Sequence, residues 1–259
     1  MIDRIKEAFE NGKAFIPFIT SGDPSLETTE QLVYAMDDAG ADIIELGVPF
    51  SDPTAEGPVI QAANLRALSA GTTTYKIFSM IAKIRQKTQI PLILMTYANV
   101  VYSYDTELFL QKAASVGVDG LILADVPYEE KEEFSDVCDE YGLCLISMVA
   151  PTSKERIKMI AKDAKGFVYC VSSLGVTGTR KEIKTDVSSM VKLVKEANDI
   201  PCAIGFGISM PETAREMALQ SDGAIVGSAI VKICEKYGAE SVPYVSEYVK
   251  QMKEAVSKF

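Results

Sequence analysis

The sequence contains no histidine, and that absence removes more chemistry than any residue present supplies. A Ser-His-Asp triad, a His-rich metal site and imidazole acid–base catalysis are all excluded. Proton transfer therefore falls to carboxylates, tyrosine, lysine or water. Cysteine is sparse and unpatterned: Cys138, Cys144, Cys170, Cys202 and Cys234 show no CxxC spacing. Cys144, Cys170 and Cys202 lie in apolar runs, where a free thiol behaves as a small hydrophobe, and no imidazole is at hand to activate one. Core thiols in a reducing compartment follow. No apolar run approaches the roughly 20 residues that cross a bilayer. The charged start, Met1-Ile-Asp-Arg-Ile-Lys6, reads as an extra N-terminal amphipathic helix rather than a cleaved signal, so a cytoplasmic protein without a membrane partner is expected. Basic clusters are missing as well. With a formal charge of −10 and no Lys/Arg run, the chain lacks what a phosphate backbone requires, which argues against nucleic acid.

What the sequence does contain is alternation. Near-continuously apolar runs at 14–20, 42–47, 91–96, 120–124, 144–149, 166–171, 202–205 and 223–226 have the character of parallel strands covered on both faces. Helical periodicity lies between them: Thr29, Leu32, Val33 and Met36 follow i, i+3, i+4, i+7, and so do Ile157, Ile160, Ala161 and Ala164. Capping boxes are expected at Thr152 with Glu155 and at Ser209 with Glu212. A degenerate repeat, Gly40-Ala-Asp42, Gly117-Val-Asp119 and Ser221-Asp222-Gly223, introduces three of the strands. Eight βα units over 259 residues with no linker predict one domain, 1–259, folded as a (β/α)8 TIM barrel. A doubly wound sheet would more often carry a Gly-rich dinucleotide turn after its first strand, and Thr20-Ser-Gly-Asp-Pro24 is not one. Two connections are too long for a minimal unit, the one after the second predicted strand and the one after the sixth, which runs from Ser172 to Arg180. Both leave the C-terminal ends of strands, the face on which barrel enzymes keep their chemistry.

The second predicted strand holds a carboxylate, Glu45, inside an apolar run. An ionised acid is costly to bury without partners, so such a residue is paired, protonated or working. Alternation puts Ile43, Glu45 and Gly47 on one face, with Ile44 and Leu46 on the other. The loop that follows carries two more acids, Asp52 and Glu56. Across the barrel, Gly205-Phe-Gly207 and Gly227-Ser228 fall where barrel loops cradle phosphate, with a helix starting at Ser228 aiming its positive end there and Gly178 adding an N–H. Each feature has a plainer alternative: a structural carboxylate at Glu45, turn-closing glycines, a solvated loop acid at Glu56, a turn-starting Asp52.

Glu45-Leu-Gly-Val-Pro-Phe-Ser-Asp-Pro53 followed by Gly57-Pro58, together with Gly175-Val-Thr-Gly178, Gly205-Phe-Gly207 and Gly227-Ser228, closely resembles the tryptophan synthase alpha chain. Pro17-Phe-Ile-Thr-Ser-Gly-Asp-Pro24, Thr96-Tyr-Ala-Asn99 and Ala124-Asp-Val-Pro127 match in register. The resemblance implies retro-aldol cleavage of indole-3-glycerol phosphate to indole and glyceraldehyde 3-phosphate, with no cofactor in this chain. Glu45 matches the family's general acid/base and Glu56 its loop carboxylate toward the indole N–H. Thr177 matches the threonine that positions that carboxylate, and Tyr169 the tyrosine beside the site. Gly178, Gly207, Gly227 and Ser228 would hold the phosphate, and Phe18, Tyr97, Ile122 and Phe206 the indole. A pyridoxal-phosphate beta chain is the implied partner in an α2β2 assembly, with Asp52 a contact.

One departure stands out. The best-known members carry Leu-Ala-Asp where this chain has Thr54-Ala55-Glu56, which lengthens the acid's arm by one methylene, about 1.5 Å. Schiff-base aldolases and indole-glycerol phosphate synthases require a lysine at a strand end, whereas the lysines here cluster on helices. A free-standing lyase and a non-catalytic regulatory barrel remain open at this point.

Overall fold

The strands are apolar on both faces because both faces are covered. The computed structural model describes residues 3–172, 186–205 and 207–257. Within them lie nine short strands: β1 Ala14–Thr20, β2 Ile44–Gly47, β3 Leu92–Thr96, β4 Gly120–Leu123, β5 Cys144–Leu145, β6 Ser147–Val149, β7 Val168–Val171, β8 Cys202–Gly205 and β9 Gly223–Val226. All pair in parallel, in the order β5-β4-β3-β2-β1-β9-β8-β7-β6. The two ends of that order are joined through Ile146 alone, so the sheet closes as the expected (β/α)8 barrel. The run at 144–149, expected as one strand, is divided. Its lower half ladders with β4 (Gly120↔Cys144, Leu121↔Leu145) and its upper half with β7 (Ser147↔Val168, Met148↔Tyr169). Strands in a barrel are tilted and staggered, so a short one meets its two neighbours at different heights.

Alternation along each strand separates two cores. Ile16, Phe18, Ile43, Ile93, Ile122 and Ile225 point into the barrel, while Phe15, Ile19, Ile44, Leu46, Leu92 and Leu94 pack outward under the helices. The N-terminal helix, Arg4–Glu10, stops the bottom of the barrel: Ile5 joins the inner core and Phe9 lies 5.5 Å from Phe167, ring to ring. Helices Leu26–Asp38 and Lys154–Lys162 bury the stripes their periodicity predicts. Their caps are less legible. Ser153, not Thr152, accepts the Arg156 N–H, and helix Pro211–Leu219 starts from Met210 with no side-chain cap, so neither expected box forms. The long connection after β2 is accounted for by two helices, Pro58–Ser69 and Thr74–Ile84. Among the described residues, no helix is long and apolar enough to cross a membrane.

The repeated aspartates fasten the lower rim. The N–H of each donates to a carbonyl on the preceding strand, and its carboxylate accepts the N–H of that same residue: Asp42 with Phe15 (3.0 and 2.7 Å), Asp119 with Leu92 (2.9 and 2.8 Å) and Asp222 with Cys202 (2.8 and 2.9 Å). Gly40 and Gly117 precede two of them at φ +94° and +90°, the left-handed backbone that glycine adopts without a steric penalty. Asp119 also meets Arg4 at 2.6 Å and Arg85 at 2.7 Å. Removing this carboxylate takes the anionic partner from two guanidinium groups and the acceptor from a backbone N–H together. Asp119→Ala is therefore expected to lower unfolding free energy by about 3 kcal/mol, whereas breaking the exposed Arg156–Glu129 pair should leave the transition in place. Urea titration of the two variants checks the contrast.

Candidate active site

The upper rim is built differently, with open space in place of staples. Glu45 sits on β2 in register with Phe18 of β1 and Ile93 of β3. It shares the inner face with Ile43, as alternation requires. A side chain on Gly47 would come within 2.6 Å of the Phe18 Cζ, and one on Gly205 within 2.6 Å of the Tyr169 Cε1. These two strand-end glycines leave room for rings that lean inward.

Glu45 is 1% exposed, and neither carboxyl oxygen has a hydrogen-bond partner among the described residues. Burial alone pushes its pKa up to about 8, so the group is a neutral acid at pH 7. Tyr169, on β7, is driven well above the ordinary tyrosine value, first by burial and then by the charge Glu45 would carry.

Glu56 reaches the same space from the loop. It is 8% exposed and its Oε2 accepts from Asn64 Nδ2 at 2.8 Å. Burial raises its pKa, and the Asn64 amide opposes that rise. Its carbonyl accepts from Gln61 Nε2 at 2.7 Å, and the N–H of Ala55 donates to the Tyr97 hydroxyl at 3.1 Å.

The two glutamates line one cavity with Phe18, Met95, Met148 and Tyr169. Its empty volume is about 640 Å³ with the open mouth included. Gly207, Gly227 and Ser228 form another part of the wall, and helix Ser228–Tyr237 begins there with Gly227 as its N-cap. Among the described residues, no group of three His, Cys, Asp or Glu is placed to hold a metal.

Two expected pocket residues lie elsewhere. Tyr97 is 2% exposed and absent from the lining. Its hydroxyl holds the loop and its ring lies 5.2 Å from that of Phe50. Ile122 is fully buried in the barrel interior. Asp52 is exposed on the outer side of the loop. Thr177, Gly178 and Phe206 lie outside the described residues. Sequence reasoning missed Asn64, Gln61, Met95 and Met148. For Asn64 a signal existed: a lone amide at i+4 from Ile60 on a helix face otherwise made of Ile60, Ala63 and Ala67.

The tryptophan synthase alpha chain family profile matches residues 5–257. A tryptophan synthase alpha chain from Caldanaerobacter subterraneus subsp. tengcongensis is 49% identical over 249 residues, 95% of each chain. The chain belongs to the tryptophan synthase alpha chain family. The crystal structure of tryptophan synthase subunit alpha from Legionella pneumophila superposes with a TM-score of 0.90 at 36% identity, covering 99% of both chains. A chain from a structure concerned with mutual activation of the tryptophan synthase α2β2 complex of Pyrococcus furiosus superposes at 0.85 and 34% identity, over 94% of this chain and 99% of that one.

Membership does not remove the cost of Glu45. The unfolded carboxyl loses its proton near 4.5, whereas the folded one keeps it to about 8. The folded state thus holds an extra proton across that window, and stability falls as pH rises through it. Glu45→Gln carries no such proton. Its stability advantage over the wild type is expected to grow by roughly 1.4 kcal/mol per pH unit between the two values and to level off above pH 8. Denaturant unfolding of both proteins from pH 5 to 9 measures this.

Proposed function

We propose that this chain, acting as one cytoplasmic barrel domain over residues 1–259, is the lyase that splits indole-3-glycerol phosphate into indole and glyceraldehyde 3-phosphate. The observation that carries the reading is the pair of buried carboxyl groups, Glu45 and Glu56, opening into one cavity from a strand and from a loop.

The reaction needs a proton delivered to C3 of the indole and a proton taken from the C3′ hydroxyl as the C3–C3′ bond breaks. The electron pair of that bond then returns to the ring and the hydroxyl carbon becomes the aldehyde. Glu45, neutral at pH 7 because of its burial, supplies the first proton and, once ionised, accepts the second. Glu56 accepts the ring N–H and stabilises the positive charge that grows on the ring nitrogen. Thr177 positions Glu56, and Tyr169 borders the acid. The ring lies against Phe18 and Phe206, with Tyr97 and Ile122 behind the wall. The phosphate takes backbone N–H groups at Gly178, Gly207, Gly227 and Ser228, the last at a helix N-terminus whose dipole favours an anion. The chain uses no cofactor of its own. Indole passes to a beta chain that carries pyridoxal phosphate, in an α2β2 assembly contacted through Asp52.

Incubating the protein with indole-3-glycerol phosphate is expected to yield both products, with a large increase when a beta chain is added. Glu45→Gln and Glu56→Gln should each lose roughly 100- to 10,000-fold in kcat. A wild-type protein that releases no indole with the partner present would overturn the reading and leave a regulatory barrel, and a Glu45→Gln variant that releases indole at the wild-type rate would remove Glu45 from the chemistry.

A further inference from the structure

Helix Pro58–Ser69 turns one face inward, and that face is Ile60, Ala63, Asn64 and Ala67. Asn64 is 3% exposed. An amide buried among apolar side chains is costly unless bonded, and the bond it makes is to Glu56 Oε2, 2.8 Å away. The same short segment is fixed at two further points: the Ala55 N–H on Tyr97 and the Glu56 carbonyl on Gln61. The backbone on both sides of Glu56 and its carboxylate are thus held by side chains rooted in a helix and at the end of β3.

We infer that Asn64 is a positioning residue for Glu56, anchoring Oε2 on the helix so that the other oxygen, Oε1, is presented to the substrate. This rests on the reading in which Glu56 accepts the ring N–H. The anchor also gives the longer glutamate arm a defined end. An uncharged amide cannot take up a proton, so its N–H favours the carboxylate over the acid and opposes the rise that burial imposes on Glu56. Among the described residues, the titratable groups facing Glu56 are Tyr97 from the end of β3 and, across the cavity, Glu45 and Tyr169. Burial and the Glu56 charge push Tyr97 up to about 12, and Tyr169 also lies above the ordinary tyrosine value. Both phenols stay protonated through the working range. Burial pushes Glu45 up to about 8, which is where the opposite limb of the profile is expected.

The test compares wild type, Asn64→Leu and Asn64→Asp in kcat/KM against pH with the beta chain present. The carboxyl carbon of Glu56 is titrated in parallel by 13C NMR. Asn64→Leu is expected to lower kcat roughly 10- to 100-fold with KM little changed. It should also move the ascending limb up by about one pH unit while the limb near 8 stays. Asn64→Asp, closer in size to asparagine but placing a second carboxylate against the first, should move that limb further. Asn64→Ser, which keeps a small donor, replaces any variant lacking a native far-UV spectrum and should fall between wild type and Asn64→Leu. A merely structural asparagine would lower stability and reduce kcat equally at every pH. An ascending limb and a Glu56 carbon titration left at their wild-type positions would overturn the inference. Because the carbon titration does not depend on turnover, a shifted Glu56 carbon in a protein that releases no indole would keep the Asn64 anchor and discard the reading of Glu56, so the two failures are told apart.

Discussion

Everything at the mouth of this barrel depends on one carboxyl group kept where water does not reach it. Glu45 has neither an ion pair nor a hydrogen bond among the described residues, and it is enclosed by rings and methyl groups from neighbouring strands. A partner would lower the cost of burial but would also ionise the group and remove the proton that the proposed cleavage calls for. On the proposed reading that isolation serves the reaction, and in any case the rest of the fold must sustain it. The inner core beneath it and the outer core around it supply the apolar burial that a single disfavoured group subtracts from. The lower rim bears that load, where Asp42, Asp119 and Asp222 each close two hydrogen bonds onto a neighbouring strand.

The two ends of the barrel divide the work. At the N-terminal ends of the strands, polar groups are matched and satisfied, as at Asp119 between two arginines. At the C-terminal ends, glycines replace side chains, and the buried polar atoms of Thr20, Ser21, Glu45 and Thr96 have no hydrogen-bond partner among the described residues. Gly47 and Gly205 show what the glycines are for: they admit the Phe18 and Tyr169 rings into the wall of the cavity. A glycine at a strand end in this fold thus has two uses, approach of a ring and approach of an anion. The sequence pattern alone does not say which, since both require only that a Cβ be absent.

The strand positions and the inward turn of Glu45 were legible because period-2 burial leaves no other arrangement of that segment. The divided strand at 144–149 was not legible, because local sequence carries no record of the height at which a tilted neighbour is met. Helix caps failed for a smaller reason: Thr152 and Ser153 are both competent caps, and the choice between them is made by tertiary packing. Tyr97 illustrates the limit of reading a pocket from residue type. An aromatic beside the acidic loop suits an indole wall, yet here its hydroxyl is tied to the Ala55 N–H, a contact between residues far apart in sequence. Asn64 was visible as an anomaly on an apolar face, but its meaning required its partner.

The contrast between the two glutamates follows from where each is mounted. Glu45 is on a strand, fixed by the ladder and left unsatisfied, so its environment holds it neutral. Glu56 is on a loop, and its fixation has to come from hydrogen bonds, one of which also favours its ionised form. A strand delivers precision without a polar contact, and a loop does not. The same loop presents Ser51, Asp52 and Thr54 outward while Glu56 and Gly57 are buried. Its outer face is thus available to another protein while its inner face carries an acid of the site. The segment between Asp52 and Glu56 is short and is held from within, its backbone at Tyr97 and Gln61 and its carboxylate at Asn64. A partner seated on the outer face therefore bears on the same segment that aims the carboxylate, and any preference it has for one loop position becomes a preference for one placement of Glu56.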